Sequence, residues 1–520
     1  MMTEKPTFYI TTPIYYPSDK LHIGHAYTTV AADAMKRYKK QRGYDAYFLT
    51  GTDEHGLKIQ QRAEAAGQTP KEFVDGIVDG IKSLWRLLDI DYDDFIRTTD
   101  ARHEQVVQKL FQKIYDQGDI YKAEYSGWYC TPCETFFTER QLAEGHTCPD
   151  CGRPVEMAHE ESYFFQMSKY ADRWLKFIEE NPDFIQPETR RNEMISFVKQ
   201  GLEDLCVSRT TFDWGIKVPF DEKHVVYVWF DALVNYISAL GFGSGDDAKF
   251  QKYWPADVHL MAKDIIRFHS IIWPIILMAA GVELPKKVVA HGWLLMQDGK
   301  MSKSKGNVVD PVVLVEKYGV DAIRFFLLRE MAYGMDANYS EEALINCINT
   351  DLANDYGNLL SRTTAMITKF LGGVVEPGAE GTEFDVELKE LAAATPANMA
   401  QYMDKVDIAN AVAEVWKLVA KANKYVDDTA PWALNKNGET EKLKTVMYNL
   451  AEVLRQVTIL ITPVMPHVAE KVWAQLGLSS EQAGSDWTAL EWGGFPAGAK
   501  ISRGEPIFPR IDTAKALGAE

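Results

Sequence analysis

Two histidines three residues apart, His22 and His25, stand where an apolar run near Thr7 to Thr12 and the turn-rich Pro17-Ser18-Asp19-Lys20 give way to a helical pattern. A helix N-terminus offers unpaired backbone N–H groups and the positive end of the dipole, so imidazoles there can donate to phosphate. Gly24 between them leaves no side chain, and a nucleotide can approach the backbone closely. Far along the chain, Lys300 and Lys303 lie three apart in Lys300-Met301-Ser302-Lys303-Ser304-Lys305-Gly306. Ammonium groups on such a glycine-bounded loop can follow charge that develops on a leaving pyrophosphate. Alone, each pattern has a plainer reading: the histidines as a capping or metal-binding pair, the lysines as a solvated loop. A third pattern is stronger. Cys130-Thr131-Pro132-Cys133 and Cys148-Pro149-Asp150-Cys151 leave 14 residues between the pairs, which suits one closed tetrahedral zinc site with four thiolates. A redox dithiol is the alternative, but it would want a thioredoxin-like βαβ setting. His146 and His159 could replace a ligand; the four-sulfur set is preferred. Such a closed site fixes the segment around it and stays away from the reacting atoms. Cys206 and Cys347 stand alone and read as buried apolar residues.

These residues need elements to hold them. A strand at Thr7 to Thr12, a helix from about Gly24 to Arg42 closed by Gly43, and a second apolar run at Tyr47 to Thr50 form a β-α-β unit. Strands alternating with helices imply a parallel sheet, and ligands of such sheets sit beyond the carboxyl ends of the strands. Both the histidine pair and Gly51-Thr52-Asp53-Glu54-His55-Gly56 are expected there. From about Tyr121 to Pro219 the texture changes to short β-like runs, cysteine pairs and acidic stretches, which reads as an insertion. Val225 to Phe230, Val258 to Met261 and Val288 to His291 then read as strands of the second half of the sheet. A hairpin at Gln297-Asp298-Gly299 delivers the lysine loop, and Asp310-Pro311 reads as an N-cap with proline at the first helical position. Beyond Glu341 helical spacing dominates, as with Ile408, Val412, Val415 and Val419, so residues 341–480 read as a helix bundle. The tail from Gly477 is rich in glycine, serine and proline and suggests no regular structure. The basic run Lys36 to Arg42 reads as a solvated helix face.

Composition bounds the partners. The 520 residues carry a formal charge of −18, 46% hydrophobic and 25% charged residues, which argues for three or four packed units and against a disordered or fibrous chain. A nonspecific polyanion binder would carry the opposite sign, so any nucleic-acid contact must be local. Phe268 to Gly281, the most apolar stretch, is 14 residues long and too short to cross a bilayer. The start shows no secretory signal, and six cysteines do not make a disulfide scaffold. A cytoplasmic location without membrane contact is the expectation.

Together, His22-Ile23-Gly24-His25 after the first strand and Lys300-Met301-Ser302-Lys303-Ser304 after the last match letter for letter the HIGH and KMSKS signatures of class I aminoacyl-tRNA synthetases. Thr11-Thr12-Pro13-Ile14-Tyr15-Tyr16, the Gly51 to Gly56 block, Trp229-Phe230-Asp231-Ala232-Leu233 and Lys263-Asp264-Ile265-Ile266-Arg267-Phe268-His269 narrow it. The chain resembles the methionyl-tRNA synthetases from about Thr7 to Trp473. The resemblance implies a Rossmann-type parallel-sheet catalytic domain (1–120 and 225–340, the latter including the lysine loop and stem-contact region), split by a zinc-bearing insertion (121–224). An α-helical anticodon-binding domain (341–480) and a tail (481–520) would follow.

The resemblance further implies that His22, His25, Lys300 and Lys303 are catalytic, and that His22, Gly24, His25, Asp264, Trp293, Leu294, Lys300 and Lys303 meet ATP. Methionine would lie against Ile14, Tyr16, Asp53, Trp229, Ala232, Leu233, Tyr236, Ile265 and His269. Asp53 can pair with the substrate ammonium, and a polarisable thioether suits aromatic walls. Trp229 and Ile265 could equally be core residues, and Asp264 an N-cap. Asn358, Arg362 and Trp432 match places where this family reads the CAU anticodon, an exposed tryptophan stacking a splayed base; helix packing is their plainer role. One structural zinc per chain and Mg²⁺ with ATP are the implied ions. The implied partners are L-methionine, ATP and tRNA(Met), initiator included. Family members with an appended oligonucleotide-binding domain dimerise through it; none follows Pro509 here, so a monomer is expected. The rivals are a class I synthetase for another apolar amino acid, for which an insertion of roughly 100 residues is too short to edit, and a silent RNA-binding relative.

Overall fold

The computed structural model describes residues 5–133, 135–137, 139–149, 151–296, 299–300 and 308–518. At its centre lie six strands: β1 (Thr7–Thr11), β2 (Asp45–Thr52), β3 (Asp94–Arg97), β4 (Ile185–Gln186), β5 (Val258–Ala262) and β6 (Val288–His291). They pair in the order β3-β2-β1-β5-β6-β4, all parallel. Alternate residues serve two cores: Phe8, Ile10 and Phe48 face one, Tyr9 and Leu49 the other. Burial on both faces is what a parallel sheet requires and why its strands read as continuous apolar runs. The order reverses between β1 and β5, which opens a crevice at the carboxyl ends of the strands.

Helix α1 (Ile23–Gln41) follows β1. Its alanines and straight chains, with no glycine or proline after Gly24, favour the helix, and Ala26, Val30, Ala34 and Tyr38 form its buried stripe. After β2 come α2 (Leu57–Ala65) and, further on, α3 (Ala101–Asp116) behind β3. α4 (Val228–Leu233) and α5 (Val320–Glu330) complete the elements that bear on the site. Asp310 caps the helix at Pro311–Tyr318 by accepting from the Val312 N–H at 2.9 Å, as its spacing predicts.

Three expectations need correction. The run Val225 to Phe230 is not a strand of the main sheet: Asp221–Val226 pairs antiparallel with Ser208–Arg209 and Lys217–Val218, and Val228 onward is α4. Nearly every residue of that run is buried, so periodicity could not distinguish strand from helix. The segment read as one insertion is divided: Ile120–Cys130, Thr135–Phe137, Glu156–Phe165 and Leu205–Cys206 form a separate four-stranded sheet, but β4 returns as the edge of the main sheet. The tail is ordered against the bundle. Ala499–Lys500 pairs with Val374–Val375, Phe495, Ile501, Ile507 and Phe508 are buried, and Arg455, fully buried, donates to the carbonyls of Ala483 (2.8 Å) and Ala489 (2.7 Å).

The basic run is corrected as well. Lys36 is fully buried, with Asp91 and Asp93 on its ammonium; Arg37 meets Asp33 and Asp89, and Lys39 meets Asp404 of the bundle. Arg324 of α5, equally buried, reaches Asp33 at 2.6 Å. A helical bundle follows, built on helices such as Asp385–Met403, Ile408–Thr429 and Thr440–Ile461. Among the described residues no helix is long and apolar enough to cross a membrane.

Candidate active site

The carboxyl ends of β1, β2, β5 and β6 converge on one cavity of about 450 Å³. Each strand contributes the residues just past its end: Ile14 and Tyr16 after β1, Asp53 after β2, Asp264 and Ile265 after β5, Trp293 and Leu294 after β6. α4 and the turn after it add Trp229, Ala232, Leu233 and Tyr236, and α1 adds His22, Gly24 and His25. The residues assigned to methionine and to ATP thus line one space, apart from the two lysines. Lys300 pairs in a short antiparallel ribbon with Leu295, and Lys303 lies outside the described residues.

The start of α1 is an imidazole capping box. The Gly24 N–H donates to His22 Nδ1 and the His22 N–H to His25 Nδ1, both at 3.1 Å. With each Nδ1 accepting a backbone N–H, Nε2 is the nitrogen left to each ring as a donor, and both residues line the cavity. The rings lie 3.9 Å apart. A Cβ at Gly24 would come within 2.9 Å of the His22 ring, so any other residue there displaces the donor. Gly292 is bound the same way, its would-be Cβ 2.0 Å from the Met335 carbonyl oxygen. Nearby, Lys263 pairs with Asp336 at 2.7 Å and lies 4.1 Å from the Trp293 ring centre, and Asp336 accepts from the Trp293 N–H.

The side of the cavity read as the methionine pocket is aromatic and uncharged at its base. Tyr236 donates its hydroxyl proton to His269 Nε2 at 2.7 Å, and His269 Nδ1–H donates to the Ile265 carbonyl at 3.0 Å. Burial pushes His269 down to about 4, so the ring is neutral at physiological pH. Trp229 stacks on Phe268 at 3.7 Å. His269 sits in a π-helical stretch, Phe268–Ile272, a widened turn that brings Phe268 and His269 both to the cavity. This pocket can hold an apolar, polarisable side chain, with the one carboxylate of Asp53 at its edge.

Sequence reading leaves several contributors unassigned, four polar or aromatic side chains among them. Lys58 in the first turn of α2, Tyr27 and Thr28 of α1, and His291 at the end of β6 also line the cavity. Thr28 Oγ1 lies 2.7 Å from His291 Nε2, and burial holds His291 near 4. The signal available was position: His291 ends a buried strand just as Thr52 does before Asp53.

The four cysteine sulfurs lie within 4.8 Å of one another, Cys130 to Cys151 at 3.6 Å and Cys133 to Cys148 at 3.9 Å. Zinc–sulfur bonds of about 2.3 Å in a tetrahedron set sulfurs about 3.8 Å apart, so the set fits a zinc ion. Burial pushes the Cys130 thiol up to about 12, a strain that a divalent cation relieves by taking the thiolate. The sequence reading kept this knuckle away from the chemistry. In the fold Cys133, Pro132 and Cys151 border the same cavity. Cys206 and Cys347 are buried, as expected.

In the helical part, outside the cavity lining, Asn358 and Trp432 are exposed, Trp432 by 49%, and Arg362 reaches Asp427 at 2.9 Å.

The model of the family described as "tRNA synthetases class I (M)" matches residues 8–364, and that of the "Anticodon-binding domain of tRNA ligase" matches residues 388–499. A methionine–tRNA ligase of Caldanaerobacter subterraneus subsp. tengcongensis is 62% identical over 516 residues, 99% of this chain and 80% of the relative. The methionyl-tRNA synthetase of Mycobacterium tuberculosis in complex with methionyl-adenylate has 43% identity and a TM-score of 0.93, covering 97% of this chain and all of that one. The free state of the same enzyme gives 40% identity and a TM-score of 0.87, covering 98% and 99%.

Proposed function

The chain belongs to the methionine-specific class I aminoacyl-tRNA synthetases, and from that premise we propose how its residues carry the reaction. It is an ATP-dependent methionine–tRNA ligase. In the first step a carboxylate oxygen of methionine attacks the α-phosphorus of ATP. The bond from that phosphorus to the β-bridging oxygen breaks, giving methionyl adenylate and pyrophosphate. In the second, a hydroxyl of the 3′-terminal adenosine of tRNA, the 2′-hydroxyl by the class resemblance, attacks the adenylate carbonyl. AMP leaves and the hydroxyl proton is released.

No protein nucleophile is needed, so catalysis is positioning and charge. Asp53 pairs with the substrate ammonium, while Tyr16, Trp229, Ala232, Leu233, Tyr236, Ile265 and His269, with Ile14, surround the thioether. His22 and His25 donate from Nε2 to the α-phosphate as its charge rises in the transition state, and Asp264 holds ribose hydroxyls. Lys300 and Lys303 take the leaving pyrophosphate. Mg²⁺ bound with ATP would neutralise the phosphates, and zinc held by Cys130, Cys133, Cys148 and Cys151 would fix the knuckle at the cavity mouth. The observation that carries this reading is the single cavity shared by the capping imidazoles and the Asp53 pocket.

We further read residues 121–224 without β4 as the insertion and 341–480 as the anticodon-binding part. The chain is read as a monomer acting in the cytoplasm on elongator and initiator tRNA(Met).

Pyrophosphate exchange into ATP, run with each amino acid separately and without tRNA, tests the first step: exchange with methionine is expected, and exchange with another amino acid alone would sink the pocket assignment. For the anticodon end, Trp432→Ala is expected to lower charging of tRNA by about ten- to a hundredfold, from the 1–3 kcal/mol typical of one stacked base. Exchange without tRNA should stay at the wild-type level; equal losses in both assays would remove Trp432 from RNA reading.

A further inference from the structure

Behind the cavity wall, outside its lining, Asp231 of α4 is fully buried between two imidazoles. His55 Nδ1 lies 2.7 Å from Asp231 Oδ2, and His103 Nε2 of α3 lies 2.6 Å from Asp231 Oδ1. His103 Nδ1 continues to Ser238 Oγ at 2.8 Å. We propose that this His55–Asp231–His103 bridge is a positioning element for methionine, joining the two walls of the pocket and setting the distance between them. The proposal rests on the methionine-binding reading above.

The connections on each side are short. His55 belongs to the Asp53 to Gly56 turn, and its carbonyl accepts from the Tyr16 hydroxyl at 3.1 Å, so its place governs both Asp53 and Tyr16. The rest of the turn is anchored from outside: Arg97 donates twice to the Glu54 carboxylate, at 2.6 and 2.9 Å, and Trp214 Nε1 donates to the Glu54 carbonyl at 2.6 Å. Asp231 lies on the same short helix as Trp229, Ala232 and Leu233, which form the opposite wall. Between these walls the bridge is a doubly hydrogen-bonded carboxylate in a dry setting, where charge-assisted bonds are short and strong. Its parts touch neither the ATP side of the cavity nor, by the lining, the substrate.

Charge completes the picture. Burial opposes the charge of His55, but Asp231 beside it overrides this and holds the imidazole above its ordinary range; Glu104 of α3, 4.0 Å from His55 Nε2, and Glu54 add to the effect. Burial also opposes the Asp231 charge, and His55 and His103 hold its carboxyl below the usual range. Glu104 itself is raised by burial, and Asp100 is the remaining acid near it. Because the His55 value is raised, its imidazole keeps its charge beside the Asp231 carboxylate through its ordinary range and loses it as pH climbs through the raised value.

The test is exchange kinetics on the 520-residue chain from pH 6 to 9, with calorimetric methionine binding. Wild-type exchange with methionine, measured first, tests the ligase reading by itself. Asp231→Asn is expected to raise the KM and Kd for methionine by about ten- to a hundredfold, with the KM for ATP within about twofold of wild type. The wild-type methionine KM should rise with pH above the His55 transition, beyond the rise that titration of methionine's own ammonium produces. His55→Gln should show only the latter. The proposal is overturned by a folded Asp231→Asn with unchanged methionine binding, by equal rises in both KM values, or by superimposable pH profiles for wild type and His55→Gln. If Asp231→Asn does not fold, His55→Ala, which breaks the link between the walls and leaves Asp231 paired with His103, carries the same comparison.

Discussion

Pyrophosphate exchange by the His25→Ala variant is expected to fall by about 10² to 10³ in kcat, with the methionine KM unchanged. His25 has two sides: its Nδ1 accepts from the His22 N–H at 3.1 Å, closing the cap of α1, which leaves Nε2 as the donor of a residue that lines the cavity. The cap is a matter of helix stability, about 1 kcal/mol; in the proposed reading the donor acts only as charge gathers on the α-phosphate, so its loss lowers kcat without touching ground-state binding. His25→Asn separates them. Its side chain can accept at the Nδ1 position but has nothing at Nε2. Equal losses in the two variants assign the effect to the outer donor. Recovery of exchange by asparagine would mean that the cap, and not charge stabilisation, is what the enzyme needs from this residue.

Arg324→Met is expected to cost about 3–5 kcal/mol in the unfolding of the structure that joins sheet and bundle. The guanidinium is fully buried and reaches Asp33 Oδ2 at 2.6 Å, the Val464 carbonyl at 2.9 Å, the Leu88 carbonyl at 3.0 Å and the Pro463 carbonyl at 3.1 Å. Asp33 is in the middle of α1, Leu88 precedes β3, and Pro463 and Val464 belong to the bundle. Methionine fills much of the volume but leaves Asp33 with only Arg37 as counter-ion and several buried carbonyls without donors. Denaturant titration followed by tryptophan fluorescence and by far-ultraviolet circular dichroism checks it. A shift below about 1 kcal/mol would show that water or rearrangement replaces the arginine. The expected curve also separates into two transitions, because the chain is too large for two-state treatment once its parts are uncoupled.

Both predictions concern α1, and it shows where reading residues in a line reached and where it stopped. The helix, its cap and its histidine pair were legible because each depends on neighbours a few residues away: alanine-rich periodicity, a turn before and Gly43 after. The cysteine knuckle was legible for the same reason, two local pairs with a fitting interval. Signature blocks carried the pocket: the residues read from them for methionine and ATP line one cavity, apart from Lys300 and from Lys303, which lies outside the described residues.

Burial of charge was not legible. Lys36 and Arg37 read as a solvated face because their acids, Asp89, Asp91 and Asp93, come from another turn, about 50 residues away, and Arg324 from another helix. The run through Val228 was misread because a fully buried strand and a fully buried helix look alike to any periodicity. The tail seemed formless because partners such as Val374 and Arg455 lie outside it, earlier in the chain. The sequence by itself determined which residues bear chemistry and which local elements carry them, since dihedral preference, capping and ligand spacing are short-range. Only the tertiary structure decided which charges are buried together, which strand closes the sheet and how the two walls of the pocket are joined, because those depend on pairing energies between segments that no local pattern encodes.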